Sequence, residues 1–153
     1  MNRSFDLRTA TPADLTPLSR LCLRSKAHWG YDADFMAACV PALTITQADL
    51  EGDLLVIAEQ GGTLAGMAQL AGPPEDMEID RFFIDPPFMG AGCGRVLFQW
   101  CLNTARAQGA TRLAIEADPG AAPFYEHMGA VRIGEAPSEA IPGRSLPLLE
   151  ITV

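Results

Sequence analysis

The stretch Met77–Arg95, MEIDRFFIDPPFMGAGCGR, constrains this chain more than any other. It opens as a strand: Met77, Ile79 and Phe83 alternate with Glu78, Asp80 and Phe82, and bulky β-favouring side chains fill its second half. Asp85-Pro86-Pro87 ends it, because two prolines supply no ladder donors and fix the local φ. Gly90, Gly92 and Gly94 follow at alternate positions. Val96, Leu97, Trp100, Cys101, Thr104 and Ala105 then recur at helical spacing. In a strand–glycine loop–helix unit the glycines let the backbone approach a ligand closely. The unpaired N–H groups at the helix start attract anionic oxygens, phosphate above all. A flexible connector is the other reading of a glycine-rich turn. Three alternate glycines opening directly onto a long amphipathic helix favour anion binding.

Several function classes are excluded or weakened. The glycine spacing does not match GxxxxGK[ST], and the only lysine of the chain is Lys26, which excludes a P-loop nucleotidase. GxGxxG also fails, since the third glycine comes one residue early. Glu116 does lie about twenty residues downstream, where a dinucleotide-binding fold wants an acid for the ribose, so a nucleotide-dependent oxidoreductase stays open. A chain of 153 residues, 48% hydrophobic and 20% charged, predicts one domain over residues 1–153 with a proper core. No run of 18 apolar residues predicts a membrane span, and MNRSFDLRTA has no apolar signal core, so a cytoplasmic location is expected. A net charge of −8 without any basic block argues against nucleic acid as partner. Local backbone dipoles still suit a small anionic cofactor. Cys22, Cys39, Cys93 and Cys101 show no C-x-x-C spacing, and the only histidines are His28 and His127, so no metal site is expected. The thiols should stay reduced. At the glycine loop Cys93 is either a reactive thiol or a small apolar filler, and filler is the favoured role.

Along the chain, Phe5 to Thr9 reads as a first strand. Thr11-Pro12-Ala13-Asp14 reads as a helix start, with Leu15, Leu18, Leu21 and Cys22 forming one face as far as about Lys26. Gly30 and Asp32 break and re-cap, and Phe35, Met36 and Cys39 predict a second helix ending near Pro41. Thr46-Gln47-Ala48-Asp49 caps a further turn. Leu54–Ala58 and Thr63–Ala71 form a hairpin across Gly61-Gly62, and Met77–Ile84 makes it a three-stranded antiparallel meander. The helix after the glycine loop should stop at Gly109. Arg112–Ala117 comes next, parallel to Met77–Ile84 because a helix joins the two. Pro119-Gly120 starts a short helix that Gly129 ends, and Val131–Glu135 and Leu146–Val153 close the fold.

Two blocks together resemble the GCN5-related N-acetyltransferases. That family carries a [Q/R]-x-x-G-x-[G/A] loop between a strand and a helix, matched here by Met89-Gly90-Ala91-Gly92-Cys93-Gly94. Some thirty residues later it carries N-x-x-A-x-x-[F/L]-Y-E-x-x-G-[F/A], matched by Asp118 to Ala130, DPGAAPFYEHMGA. The order of elements agrees too. The resemblance implies a mixed α/β fold: a central, mostly antiparallel twisted sheet of about seven strands with one parallel pair, flanked by helices. Two departures stand out. Met89 replaces the usual Gln or Arg, and Asp118 replaces the common Asn, which puts its cofactor contact in doubt.

The resemblance further implies direct acetyl transfer from acetyl-CoA to the amine of a small molecule or peptide, without an acyl-enzyme or a metal. Backbone N–H groups of Gly90, Ala91, Gly92, Cys93, Gly94 and Arg95 would hold the pyrophosphate, with Met89, Asp118 and Ala121 beside the cofactor. Amides around Phe83 and Ile84 would face the thioester carbonyl, free only where the two parallel strands splay apart. Tyr125 matches the family's general acid; read as a residue alone, it is a core tyrosine. For the base, Glu78, Asp80 and Glu116 are candidates because carboxylates among apolar neighbours retain protons, and Glu78 is preferred. Substrate contacts are expected in segments outside the shared blocks: His28, Trp29 and Tyr31 between two helices, and Arg144 as an anion clamp or a solvated loop arginine. His28 has capping as its alternative. The acidic total charge leans toward cationic acceptors. Homodimers are common in the family. A non-catalytic acyl-CoA-binding or sensor domain of the same fold is the alternative function.

Overall fold

The computed structural model describes residues 4–52 and 54–153. Seven strands, β1 (Asp6–Thr9), β2 (Leu54–Gln60), β3 (Thr63–Ala71), β4 (Glu78–Ile84), β5 (Arg112–Glu116), β6 (Val131–Pro137) and β7 (Ser145–Thr152), form one sheet in the order β1-β2-β3-β4-β5-β7-β6. All neighbours are antiparallel except β4 and β5. The fold class, the meander and the single parallel pair are therefore as expected. Five helices flank the sheet: α1 (Leu15–Ala27), α2 (Ala33–Leu43), α3 (Gln47–Gly52), α4 (Cys93–Ala107) and α5 (Ala122–His127). None of the described helices is long and apolar enough to cross a membrane.

Two cores lie on opposite faces of the sheet. Leu97, Phe98, Cys101 and Ala105 of α4 pack with Ile79, Leu113 and Ile115 on one face. Leu18 and Cys22 of α1 and Cys39 and Leu43 of α2 pack with Ile57 and Met67 on the other. Burial of apolar area on both faces drives the three-layer arrangement. Phe98, which is not among the residues at helical spacing named above, joins the buried face of α4. Helix α2 runs beyond Pro41 to Leu43. Near a C-terminus the missing proline N–H costs only one bond in a turn that is already fraying. Gly109 (φ +89°) ends α4. Gly109 N–H bonds Arg106 O and Ala110 N–H bonds Ala105 O, the paired bonds of a glycine-terminated helix.

The entry to α1 is tied to the sheet edge. Thr11 caps a 3₁₀ turn with Asp14 in a capping box. Arg8 of β1 binds Asp14 through both terminal nitrogens at 2.8 Å and Glu59 through Nε at 2.8 Å. The Arg8 hydrogen bond overcomes the burial of Asp14 and lowers its pKa from 3.8 to about 2. A depressed carboxylate contributes stability above its unfolded pKa and loses it as pH falls through its folded one. Urea midpoints of the native protein should therefore fall more steeply between about pH 4 and pH 2 than those of Asp14→Asn. Parallel curves for the two proteins would remove this pair from the account.

Candidate active site

The site begins where β4 and β5 part. They pair only at Glu78↔Ala114 and Ile79↔Ile115, while β5 stays paired with β7 along its whole length and Ala117 N–H extends that ladder to Pro147 O. Beyond Ile79 the β5-facing edge of β4 is open. A bulge decides which amides occupy that edge. Gln69 faces Arg81 and Leu70 faces Ile79, so Asp80 is an extra residue in β4. The expected alternation is corrected here: Ile79 and Phe82 turn to the α4 core, while Phe83 packs on the α1–α2 side. Asp85 donates to Ala65 O at 2.8 Å. Amides alternate sides along a strand, so Phe83 N–H belongs with Asp85 to the β3 ladder, while Phe82 and Ile84 aim theirs into the gap. The expected pair of gap amides, Phe83 and Ile84, thus becomes Phe82 and Ile84.

The bulge is braced from behind. Arg81 Nη1 lies 3.1 Å from Asp49 Oδ1 and 2.8 Å from Gln69 Oε1, and its Nε bonds Ala42 O at 3.0 Å. Burial pushes Asp49 upward, but hydrogen bonds from Thr46, Gln69 and Arg81 outweigh it and hold it below the usual range. At the far end of β4, Asp85 receives Arg24 of α1 in a two-pronged ion pair of 3.0 and 2.9 Å. These bonds tie β4 and its far end to α1, α2 and α3.

The glycine loop lies just beyond. Gly92 is the N-cap of α4 with φ +95°, and no side chain caps the helix. Val96 N–H makes the first intrahelical bond, to Gly92 O at 3.3 Å, which leaves the amides of Cys93, Gly94 and Arg95 without helix partners. Ala91 N–H is already spent on Phe88 O at 3.2 Å. Gly90 and Gly92 face open space, whereas a Cβ on Gly94 would stand 3.1 Å from the Phe124 ring. The first two glycines keep the backbone accessible, and the third lets α4 pack on α5.

Loop and gap open into one cleft of about 650 Å³. Its walls include Phe83, Ile84, Met89, Gly90, Gly92, Gly94, Arg95, Asp118, Ala121 and Tyr125, as well as Trp29. Ala91 and Cys93 are not in its lining. Cys93 is buried, which pushes its thiol to about 11, as befits filler. Tyr125, 5% exposed, sits among Phe82, Phe98 and Phe124 with ring centres 5.7, 6.0 and 5.3 Å away. Burial, reinforced by Cys101 and Asp118, drives its phenol far above the ordinary value, so it stays protonated.

A second cavity of about 220 Å³ adjoins the cleft, and Lys26, Asp80, Arg81, Phe83 and Glu116 line both. Glu78 and Glu139 complete an acidic wall. Burial, then Asp80, Glu116, Glu139 and Asp76, raise the Glu78 carboxyl. Burial, Glu139 and Asp80 raise that of Glu116. Nothing in the sequence singles out Glu139, because the loop carrying it has no motif and folds over this cavity only in three dimensions. Arg144 lines the same cavity and donates to the Tyr31 hydroxyl at 2.6 Å, so it is not a solvated loop arginine. His28 caps α1, is exposed, edges onto Trp29 at 5.3 Å and lines neither cavity. Trp29 instead lies over Gly120, where a Cβ would come within 2.6 Å of its ring. Asp118 accepts from Lys26 Nζ at 2.6 Å, the Tyr31 hydroxyl at 2.7 Å and Gly120 N–H at 2.9 Å.

Known proteins resemble this chain in sequence and in fold. The family model of the acetyltransferase (GNAT) domain matches residues 27–140. The N-alpha-acetyltransferase RimI of Mycobacterium tuberculosis is 35% identical over 82 residues, 50% of this chain and 51% of that protein. The match thus spans about half the length of that curated relative. A GCN5-related N-acetyltransferase from Rhodopseudomonas palustris superposes with a TM-score of 0.82 at 23% identity, over 97% of this chain and 95% of that one. The PaiA N-acetyltransferase of Thermoplasma acidophilum, solved in complex with coenzyme A, gives 0.77 at 16% identity over 98% and 99%. These two likenesses establish a shared fold. With the domain match running from the end of α1 to the loop before β7, the chain belongs to the GNAT acetyltransferase family.

Proposed function

We propose that this protein is an acetyl-CoA-dependent N-acetyltransferase whose acceptor amine arrives positively charged. The observation that carries the reading is the position of the uncapped start of α4 at the mouth of the gap between β4 and β5. Orphan amides and a helix N-terminus suit a pyrophosphate, and the same 650 Å³ cleft is lined by both the glycine loop and Tyr125. A coenzyme A complex in a neighbour of the same fold supports the choice of ligand. Acetyl-CoA, when bound, supplies an acetyl group on a good leaving thiol.

Each remaining task falls to residues of this chain. The amides of Gly92, Cys93, Gly94 and Arg95 bind the diphosphate, and the Arg95 side chain adds charge at the rim. Met89 contributes an apolar wall where the family usually places a polar side chain. Phe82 and Ile84 N–H polarise the carbonyl without reorganisation, because the ladder fixes their direction. Tyr125 Oη hydrogen-bonds the departing sulfur and passes it a proton, replaced by the second proton that the acceptor nitrogen sheds as the amide forms. Glu78 accepts one from the amine, directly or through water. The acidic wall of Glu78, Asp80, Glu116 and Glu139 draws in an ammonium and excludes acidic acceptors.

Titration calorimetry with acetyl-CoA, followed by thiol release against a panel of amines, tests the reading in two stages. Expected are saturable binding of acetyl-CoA but not of NAD, and release only with amines that are cationic before reaction. Binding without release from any amine would leave an acyl-CoA-binding domain of the same fold in place of an enzyme. Absence of binding would sink both.

A further inference from the structure

One carboxylate joins four parts of the chain. Asp118 lies in the β5–α5 turn and is held by Lys26 from the last turn of α1, with the two side chains only 10% and 13% exposed. Tyr31, from the loop before α2, donates to the same oxygen. Arg144, from the loop between β6 and β7, donates to Tyr31 and stands 3.8 Å from Asp118. Its guanidinium lies 5.1 and 4.9 Å from the ring centres of Tyr31 and Phe35, which are themselves stacked at 3.9 Å. Burial raises the pKa of Asp118, but bonds from Lys26, Tyr31 and Gly120 outweigh it and keep the acid ionised.

The residue types are matched to one another. Gly120 N–H occupies Oδ1, while Lys26 and Tyr31 both donate to Oδ2. An asparagine serving Gly120 with its oxygen would turn its NH₂ toward two further donors. The amide common in the family therefore does not fit here, and the carboxylate needs the lysine: Lys26 is the only one in the chain. Lys26 also lines both cavities, so the joint lies in the partition between them. Trp29 goes with it, resting on Gly120 two residues beyond Asp118.

We infer that the Lys26–Asp118 pair is a positioning device. It seats the loop between α1 and α2 as the wall common to the cofactor cleft and the acceptor cavity, and through that wall it sets acceptor affinity. The inference rests on the acyltransferase reading above. Neither side chain is assigned a chemical step.

The test uses the full chain as Lys26→Met, Asp118→Asn and the double variant, with the best amine found for the native protein. Each single change leaves one buried partner orphaned, whereas the double removes both charges. Expected is a rise of about tenfold or more in acceptor KM for each single variant, larger than the accompanying change in kcat or in acetyl-CoA affinity. The double should be no worse than the poorer single. A second readout needs no turnover: acetic anhydride should label Lys26 slowly in the native protein and several-fold faster in Asp118→Asn, read by peptide mass spectrometry. Native acceptor KM in both singles, multiplying effects in the double, or equal labelling would each overturn the inference. If the native protein releases no thiol with any amine, the acyltransferase reading falls first and takes this one with it, whatever the labelling shows.

Discussion

Tyr125→Phe is expected to lower kcat by roughly 10²-fold or more while acetyl-CoA binds with unchanged affinity. The change removes one oxygen and little else. Among the described residues no hydrogen-bond partner of the Tyr125 hydroxyl is left behind, and a phenylalanine fills the same place among Phe82, Phe98 and Phe124. The thermal midpoint should therefore move little. Burial holds the phenol protonated before the reaction, so its service is that of a donor. Such a donor acts first as a hydrogen bond to the sulfur as negative charge develops there, and a low-dielectric setting makes that bond worth more than in water. Equal kcat in the two proteins, measured by thiol release under saturating acetyl-CoA, would leave Tyr125 as a core residue that merely borders the cleft.

Glu78→Gln should cost a comparable factor, about 10²-fold in kcat/KM near neutral pH, and should also change the shape of the pH profile. A base works when deprotonated, so the rate rises with pH as Glu78 gives up its proton. Burial, Asp80, Glu116 and Glu139 raise that carboxyl, which places the acid limb above the ordinary range of a glutamate at 4.5. The glutamine variant should lose this limb. Glu116→Gln and Glu139→Gln each remove one of the neighbouring charges, so their limb should move to lower pH while the plateau stays near native. A limb that persists unchanged in Glu78→Gln would assign the base to another group, with Asp80 and Glu116 the next to replace.

Strand, glycine loop and helix were legible in the sequence because their signals are local. Proline ends a strand, glycine opens a helix start and apolar spacing marks a face, and each acts within a few residues. The same locality made the parallel neighbour of β4 predictable from a helical connection alone. The bulge at Asp80 was not legible, since the sheet decides it: the extra residue is accommodated because Arg81 reaches Asp49, Gln69 and Ala42 O on three other elements. That one residue exchanges the faces of Phe82 and Phe83 and so chooses which amides meet the gap.

By itself, then, the sequence determined the order of elements, the amide-rich junction and the identity of the tyrosine that reaches it. Tertiary structure alone decided which charges meet. Lys26 with Tyr31, Asp118 and Arg144 come from three separate stretches of the chain and share one joint, and Glu139 joins Glu78 and Glu116 only when its loop folds over them. Coulomb energy depends on separation in space, and no pattern along the chain encodes that separation until the sheet has brought the segments together.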